Sequence, residues 1–245
     1  MSSQNSPLHG VESILGPLRA SASPLLVWHG APGERVELSG RVFDNWVAKS
    51  ANLLAEEYDA GPGTSVAFAA PAHWKTLALA FAAWQLGARV SVVEAAEAAG
   101  TAADVVVTDA PDQVVADEIL AVALGSLALD FGAELPAGAL DYAAEVRSFA
   151  DVAFPEQVAA DAEALSTSCG TTTFGELLAP ERAGATGTAA FVADEHEASG
   201  DEPALGAALR AAVVLFKQGD ALVLFGRGVE ASERLLAQER AVRRV

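Results

Sequence analysis

TSVAFAAPAHWKTLALAFAAWQLGARVSVVE, residues 64–94, decides the fold. Residues 64–70 are a short apolar run of the length and character of a strand buried on both faces. Pro71, Ala72 and His73 open a helix that runs to Leu86. Trp74, Leu77, Phe81 and Trp84 fall on one face of it, and the remaining positions are largely alanine, so the helix is expected to be packed on several sides. Gly87 ends it where a left-handed cap carries no steric penalty, and residues 89–93 form the next strand. Strand, helix and strand at this spacing predict a right-handed βαβ unit and a parallel sheet.

The same alternation extends outward. Downstream, residues 104–108 (DVVVT) predict another strand, residues 113–123 a helix, residues 126–131 a strand and residues 132–138 a loop. Residues 142–149 fit either a helical turn or part of a strand. Upstream, residues 11–18 predict a short helix, and residues 24–29 (PLLVWH) a strand that pairs as a hairpin with residues 35–38 across a Gly- and Pro-containing turn. Ser39 caps an amphipathic helix to residue 57, with Phe43, Trp46, Val47 and Leu54 on one face. Gly61-Pro62-Gly63 stops the chain and turns it. Near the C-terminus a helix from Pro203 to Lys217, a strand over 221–225 and a helix over 229–241 complete the pattern. The expected fold class is α/β, with mostly parallel sheets flanked by helices in two interleaved halves. A subdivision is expected near residues 1–160 and 161–245.

Composition excludes several classes. The net charge of −18, with Lys49, Lys75 and Lys217 the only lysines, repels phosphate backbones and anionic membranes, so no nucleic-acid partner is expected. The start of the chain, Met1 to Gly10, has no basic and apolar leader pattern, residues 1–7 read as a polar, frayed end, and the longest apolar run is far short of a bilayer span. The single Cys169 allows no internal disulfide, which fits a cytoplasmic location.

Residues 34–94 resemble the N-terminal subdomain of the adenylate-forming (AMP-binding) enzymes: acyl-CoA synthetases, luciferases and peptide-synthetase adenylation domains. The counterparts are Ala51-Asn52-Leu53-Leu54 before the Gly61-Pro62-Gly63 turn, and Gly87-Ala88 at the end of the following helix. Within that superfamily the stretch is most similar to a short actinobacterial family. Residues 209–242 resemble it again through Gly219 to Leu224 and Glu239-Arg240-Ala241-Val242. The resemblance implies an acyl-CoA synthetase-like unit, with ATP or AMP and magnesium as the family's cofactors.

The family's phosphate loop, T-S-G-T-T-G-x-P-K-G, is matched imperfectly by Thr167, Ser168, Gly170, Thr171 and Thr172, the candidate nucleotide-binding residues. Cys169 is inserted, Thr173 stands in place of a glycine and Glu176 in place of the lysine. Losing a charged hydrogen bond costs roughly 1.5–3 kcal/mol. A carboxylate ~4 Å from a phosphate adds repulsion of about 4 kcal/mol at an effective dielectric of 20. A competing local account is open: Thr173-Phe174-Gly175-Glu176 also fits the T-x-x-E capping box of a helix start.

The family's aromatic-Gly-x-Thr-Glu stretch, ribose-binding aspartate and lysine-bearing mobile domain have no counterpart in the 245 residues. The expected function is therefore a catalytically incomplete acyl-CoA synthetase-like binding or interaction module, with no catalytic residue assigned. Its partner is a second copy or another protein at the surface left by the missing subdomains. An AMP-forming ligase with an unconventional nucleotide site, and an acyl or adenine-nucleotide binder without turnover, are the alternatives. His9, His29, His73 and His196 show no metal-ligand spacing, and Cys169 has no base beside it in sequence. His196 is expected in a solvated acidic loop over residues 194–202, and His73 in a structural role at its helix start. The glycine-rich Gly184-Ala185-Thr186-Gly187 follows no clear strand. Trp28, Trp46, Trp74 and Trp84 are expected in the core.

Overall fold

The computed structural model describes residues 8–30, 33–94, 97, 102–180, 187–199 and 202–243. The expectations placed on residues 1–7, on 184–186 and on 200–201 lie outside them. Among the described residues the strands make three sheets. Short β1 (Leu8–His9) pairs antiparallel with β9 (Gln157–Val158). The largest sheet has seven strands. It contains β4 (Ser65–Ala69), β5 (Arg89–Val92), β6 (Val105–Thr108), β7 (Ile119–Ala121), β8 (Ala139–Asp141), β10 (Glu163–Thr167) and β11 (Gly170–Thr173). Its order is β11-β10-β5-β4-β6-β7-β8, parallel except for the β10–β11 hairpin.

The five-stranded sheet joins the two ends of the chain. It contains β2 (Pro24–Gly30), β3 (Glu34–Ser39), β12 (Ala189–Val192), β13 (Leu222–Phe225) and β14 (Val242–Arg243) in the order β14-β12-β13-β2-β3. Only the β2–β3 hairpin is antiparallel. Residues 1–160 and 161–245 each contribute strands to both larger sheets.

The sheets share one core through a layer of helices. α1 (Glu12–Leu18) and α2 (Gly40–Tyr58) precede the central unit, and α3 (Trp74–Gln85) is its crossover. α4 (Tyr142–Glu145), α5 (Phe174–Leu177), α6 (Ala193–Ser199), α7 (Ala204–Lys217) and α8 (Glu233–Glu239) follow. α2 packs on β2 and β3, α7 on β12 and β13, and α3 on β5 and on both of those helices. Every residue of α3 is buried, the reason most of its positions are alanine or large apolar residues. Trp84 Nε1 donates to the Ala164 carbonyl at 2.7 Å, fastening α3 to β10.

Local chemistry sets the ends of these elements. The Ser39 hydroxyl accepts from Val42 N, which caps α2 as expected from its sequence. The backbone N–H of His73 donates to Thr76 Oγ1 at 3.0 Å while its Nδ1 accepts from Lys75 N at 3.1 Å, so His73 starts α3. At Gly87, φ is +75°, and a Cβ would lie 2.4 Å from Val158 Cγ1.

Two expectations are corrected. Residues 113–123 do not form a helix: a 3-10 turn at Pro111–Gln113 leads to β7. The exposed edge of β6 needs hydrogen-bonding partners, and Ile119, Leu120 and Ala121 supply them in parallel register. Residues 126–131 do not form a strand. Leu127 is 91% exposed and Leu129 70%, and the edge position is taken by β8. The segment 142–149 resolves as helical, α4 followed by a 3-10 turn at Val146–Ser148.

Candidate functional site

Parallel strands all have their carboxyl ends at the same edge of the sheet, and the chain leaves them through loops at that edge. In the seven-stranded sheet, β5 lies on one side of β4 and β6 on the other, so the connection after β5 reverses direction across the sheet. Such a reversal leaves a crevice at the carboxyl ends of the strands. A cavity of about 870 Å³ opens there. Its walls come from the residues just after β4 (Ala70, Pro71), β5 (Val93, Glu94) and β6 (Asp109, Ala110), and from the end of β10. Pro203 and Leu205 at the start of α7, and Arg227 after β13, close it from the five-stranded sheet.

Thr167 and Ser168 line this crevice, together with Ser166. Gly170, Thr171 and Thr172 are not among its lining residues. They lie on β11, in a hairpin whose register pairs Thr167 with Gly170 and Ser166 with Thr171. Thr172 Oγ1 accepts from Arg210 Nη1 at 2.7 Å, and Thr167 Oγ1 accepts from the Cys169 N–H at 3.2 Å. The stretch is thus an extended hairpin with a two-residue tip. Gly206 of α7 packs against it: a Cβ there would lie 2.8 Å from Thr167 Cγ2.

Thr173 and Glu176 form a complete capping box. Thr173 N donates to Glu176 Oε2 at 2.8 Å, and Glu176 N donates to Thr173 Oγ1 at 3.2 Å. The Thr173 N–H holds the exposed carboxyl below its ordinary range. The helix start that the T-x-x-E pattern describes is thus present in the structure.

The charge on the crevice wall is the feature that motif matching missed. Among the described residues, Glu94, Glu97, Asp109, Glu197 and Glu202 line it with one guanidinium, Arg227. Arg227 is held by Glu197, with contacts of 3.0 and 2.8 Å. Glu202 accepts from Arg210 Nε at 3.1 Å. Asp109 is half-buried, and burial raises its carboxyl above the ordinary range. The signal that would have found Glu94 and Asp109 is position: each lies just beyond an apolar run that reads as a parallel strand.

A second cavity of about 380 Å³ lies between β12, α6 and α7. Phe191, Ala207, Ala211, Val214 and Leu215 form apolar walls, with Glu202 and Arg210 beside them. Glu202 borders both cavities.

The other singled-out residues lie apart from the crevice. His73 is buried edge-on against Trp28, with ring centroids 4.3 Å apart, and burial pushes its imidazole down to about 3, so it is neutral. Lys75 is buried too, its Nζ donating to the carbonyls of Ala123 and Gly125 at 2.6 and 2.7 Å. His196 lies on α6 rather than in a loop, and Cys169 is exposed at the hairpin tip. Trp28, Trp74 and Trp84 are in the core, with Trp46 partly buried against it. Among the described residues no group of three His, Cys, Asp or Glu side chains is placed to hold a metal ion.

The crystal structure of an acyl-CoA synthetase from Brucella canis superposes on 98% of this chain with a TM-score of 0.76 at 16% sequence identity. The fold is that of part of an acyl-CoA synthetase. The chain spans 47% of the length of the Brucella protein. A Mycobacterium tuberculosis protein named TIGR03089 family protein is 40% identical over 152 residues, which are 59% of this chain and 62% of that one. No family model matches the sequence. Among the described residues no helix is long and apolar enough to cross a membrane.

Proposed function

We propose that the chain is a non-catalytic ligand-binding module on the acyl-CoA synthetase fold, corresponding to the N-terminal part of such an enzyme, and that it works in the cytoplasm. The observation that carries this is the wall of the crevice. Among the described residues, five lining carboxylates face one guanidinium that is already paired with Glu197. A nucleotide triphosphate brings several negative charges, and in a partly enclosed site like charges repel by kilocalories rather than tenths. Its phosphates find no lysine in this wall, and Glu176, at the position of the family's loop lysine, is engaged in capping α5. The crevice therefore does not fit ATP with magnesium, and no adenylation step is derived for it. What persists is a concave site of ligand size at the place where open α/β sheets hold small molecules.

The test is a pyrophosphate-release assay with magnesium, ATP and a panel of carboxylic acids, beside calorimetric titration with ATP and with AMP. The expected result is no release above background and no micromolar ATP binding. Acid-dependent pyrophosphate release would overturn the proposal in favour of an AMP-forming ligase. A second reading, an acyl binder without turnover, is favoured by the apolar slot between β12 and α7. Thermal shift with acyl-CoAs of increasing chain length tests it, and no stabilisation at any length counts against it.

A further inference from the structure

β3 ends the five-stranded sheet, and no strand among the described residues pairs with its outer edge. It is six residues long and contains no proline. The irregularity in its pairing with β2 lies at one end, between Pro24 and Leu26, so the rest of the strand is regular. Such an edge presents unpaired backbone N–H and C=O groups to any strand that can approach, and proteins blunt it with proline, bulges, covering elements or charge. The charges on β3 are of both signs. Arg35 and Glu37, 42% and 43% exposed, lie two residues apart and therefore on one face of the strand.

Two copies of β3, placed antiparallel about a two-fold axis through Val36, set Arg35 opposite the partner's Glu37 and Glu37 opposite the partner's Arg35. Both cross-strand pairs are then of opposite charge, the arrangement that stabilises antiparallel strands. Sliding the strands by two residues in either direction sets Arg35 against Arg35 or Glu37 against Glu37, which is repulsive. The charge pattern thus selects one register.

The opposite face of the strand carries Glu34, Val36 and Leu38. Leu38 is buried and α2 packs on β3, so this is the face that α2 covers. Glu34 Oε1 accepts from Ser126 N at 2.7 Å, which places the loop of residues 125–129 on that face. Lys75 Nζ and Arg147 Nη2 hold the same loop through the carbonyls of Gly125 and Ala128, at 2.7 and 2.9 Å. An anchored loop therefore displays the exposed Leu127 and Leu129. The two-fold axis sets Glu34 opposite the partner's Leu38, beside the start of α2, where Val42 is 38% exposed. The exposed leucines of each copy approach exposed apolar surface of the other.

We propose that the chain associates with a second copy of itself by pairing β3 with β3 about Val36, with Leu127 and Leu129 against the partner's Val42. The pairing joins the two five-stranded sheets into one continuous sheet and is independent of what the crevice binds.

The test is sedimentation equilibrium of the full chain over a micromolar concentration series. A monomer–dimer equilibrium is expected. Glu37→Arg places like charges in both cross-strand pairs and should raise the dissociation constant roughly tenfold or more. Leu127→Asp should also raise it, from the other face. Both side chains are exposed, so melting temperatures at low concentration should stay near the parent's and show the fold intact. Directly opposite positions bring Cβ atoms to about 4.5–5.5 Å, within reach of a disulfide after a small adjustment. Val36→Cys in a Cys169→Ser background should therefore give a disulfide-linked dimer on mild oxidation. Glu37→Cys in the same background should not, because its two copies lie two residues out of register. A monomer throughout the series would overturn the inference. So would a dimer whose affinity neither Glu37→Arg nor Leu127→Asp changes, or one that Val36→Cys fails to link, since the copies would then meet elsewhere.

Discussion

Replacing Phe81 by alanine tests whether the two larger sheets share one core. Phe81 lies on α3 and is fully buried. Its ring meets Phe43 of α2 at 5.3 Å and Trp84 at 5.2 Å, both edge-on, and Phe216 of α7 at 5.7 Å. α2 and α7 lie against the five-stranded sheet and α3 against the seven-stranded one, so this ring sits where the layers meet. A buried Phe→Ala change costs about 3–5 kcal/mol from lost transfer energy and the cavity left behind. Domains hold a total of roughly 5–15 kcal/mol, so the loss is a large fraction. Phe81→Leu keeps most of the volume and loses only the ring contacts, at about 1–2 kcal/mol. Urea unfolding should be followed by tryptophan fluorescence, which reports on α3 through Trp74 and Trp84, and by far-ultraviolet circular dichroism. The expected result is a single coincident transition whose midpoint falls for both probes in Phe81→Ala. Separate transitions in the parent protein, or a loss below about 1 kcal/mol in Phe81→Ala, would refute the shared core.

Gly87→Ala puts a Cβ at φ +75° and 2.4 Å from Val158 Cγ1, so it should destabilise by about 2–4 kcal/mol in chemical denaturation. Val158→Ala in the same chain should restore part of this. Lys75 is buried, and its ammonium is pushed down to about 8, with Arg147 adding repulsion and Glu34 and Asp141 opposing it. Between that value and the ordinary lysine range the unfolded chain binds more protons, so stability should rise from pH 8 to pH 9.5 by roughly 1–2 kcal/mol. Lys75→Met should abolish the rise in a pH series of urea midpoints. Glu239 accepts from Arg35 at 2.8 and 3.0 Å and contacts His29 Nε2 at 2.9 Å, which clasps α8 to the β2–β3 hairpin. Arg35 holds this carboxyl below its ordinary range, so the contribution is present above that range and is lost as pH falls through the lowered value. Glu239→Gln should lose about 1 kcal/mol near neutral pH, discounted for the exposed Arg35, and show a smaller stability drop on acidification.

The central βαβ unit was legible because its signals agree. Buried-strand composition in Ser65–Ala69, a helix start at His73 and a glycine stop at Gly87 all specify the same geometry. The hairpin of residues 24–39 and the Ser39 cap were legible for the same reason. Residues 113–131 were not, because their short apolar clusters carry neither a sustained period of two nor one of 3.6. Which of them became a strand was decided by the open edge of β6, a tertiary demand that no local pattern encodes. Two of the candidate loop residues, Thr167 and Ser168, reach the crevice because they close β10. The other three follow the chain back along β11 and turn away from it. The carboxylates on the wall were missed because Glu94, Asp109 and Glu202 come from three separate connections and share no spacing.

That dispersal bears on how the fold and the chemistry relate. Strand order and the central helices fix where the crevice opens, and these depend on buried apolar residues such as Phe68, Phe81 and Leu120. Its charge comes from residues just beyond the strands and from connections on the surface, which can change without disturbing the core. A match in fold over 98% of this chain, at 16% identity, therefore constrains the position of a ligand site and leaves its chemistry free. The same separation explains how Glu176 can stand where the family's loop carries a lysine. There it takes up the Thr173 N–H and starts α5, a local structural role that leaves the sheet undisturbed.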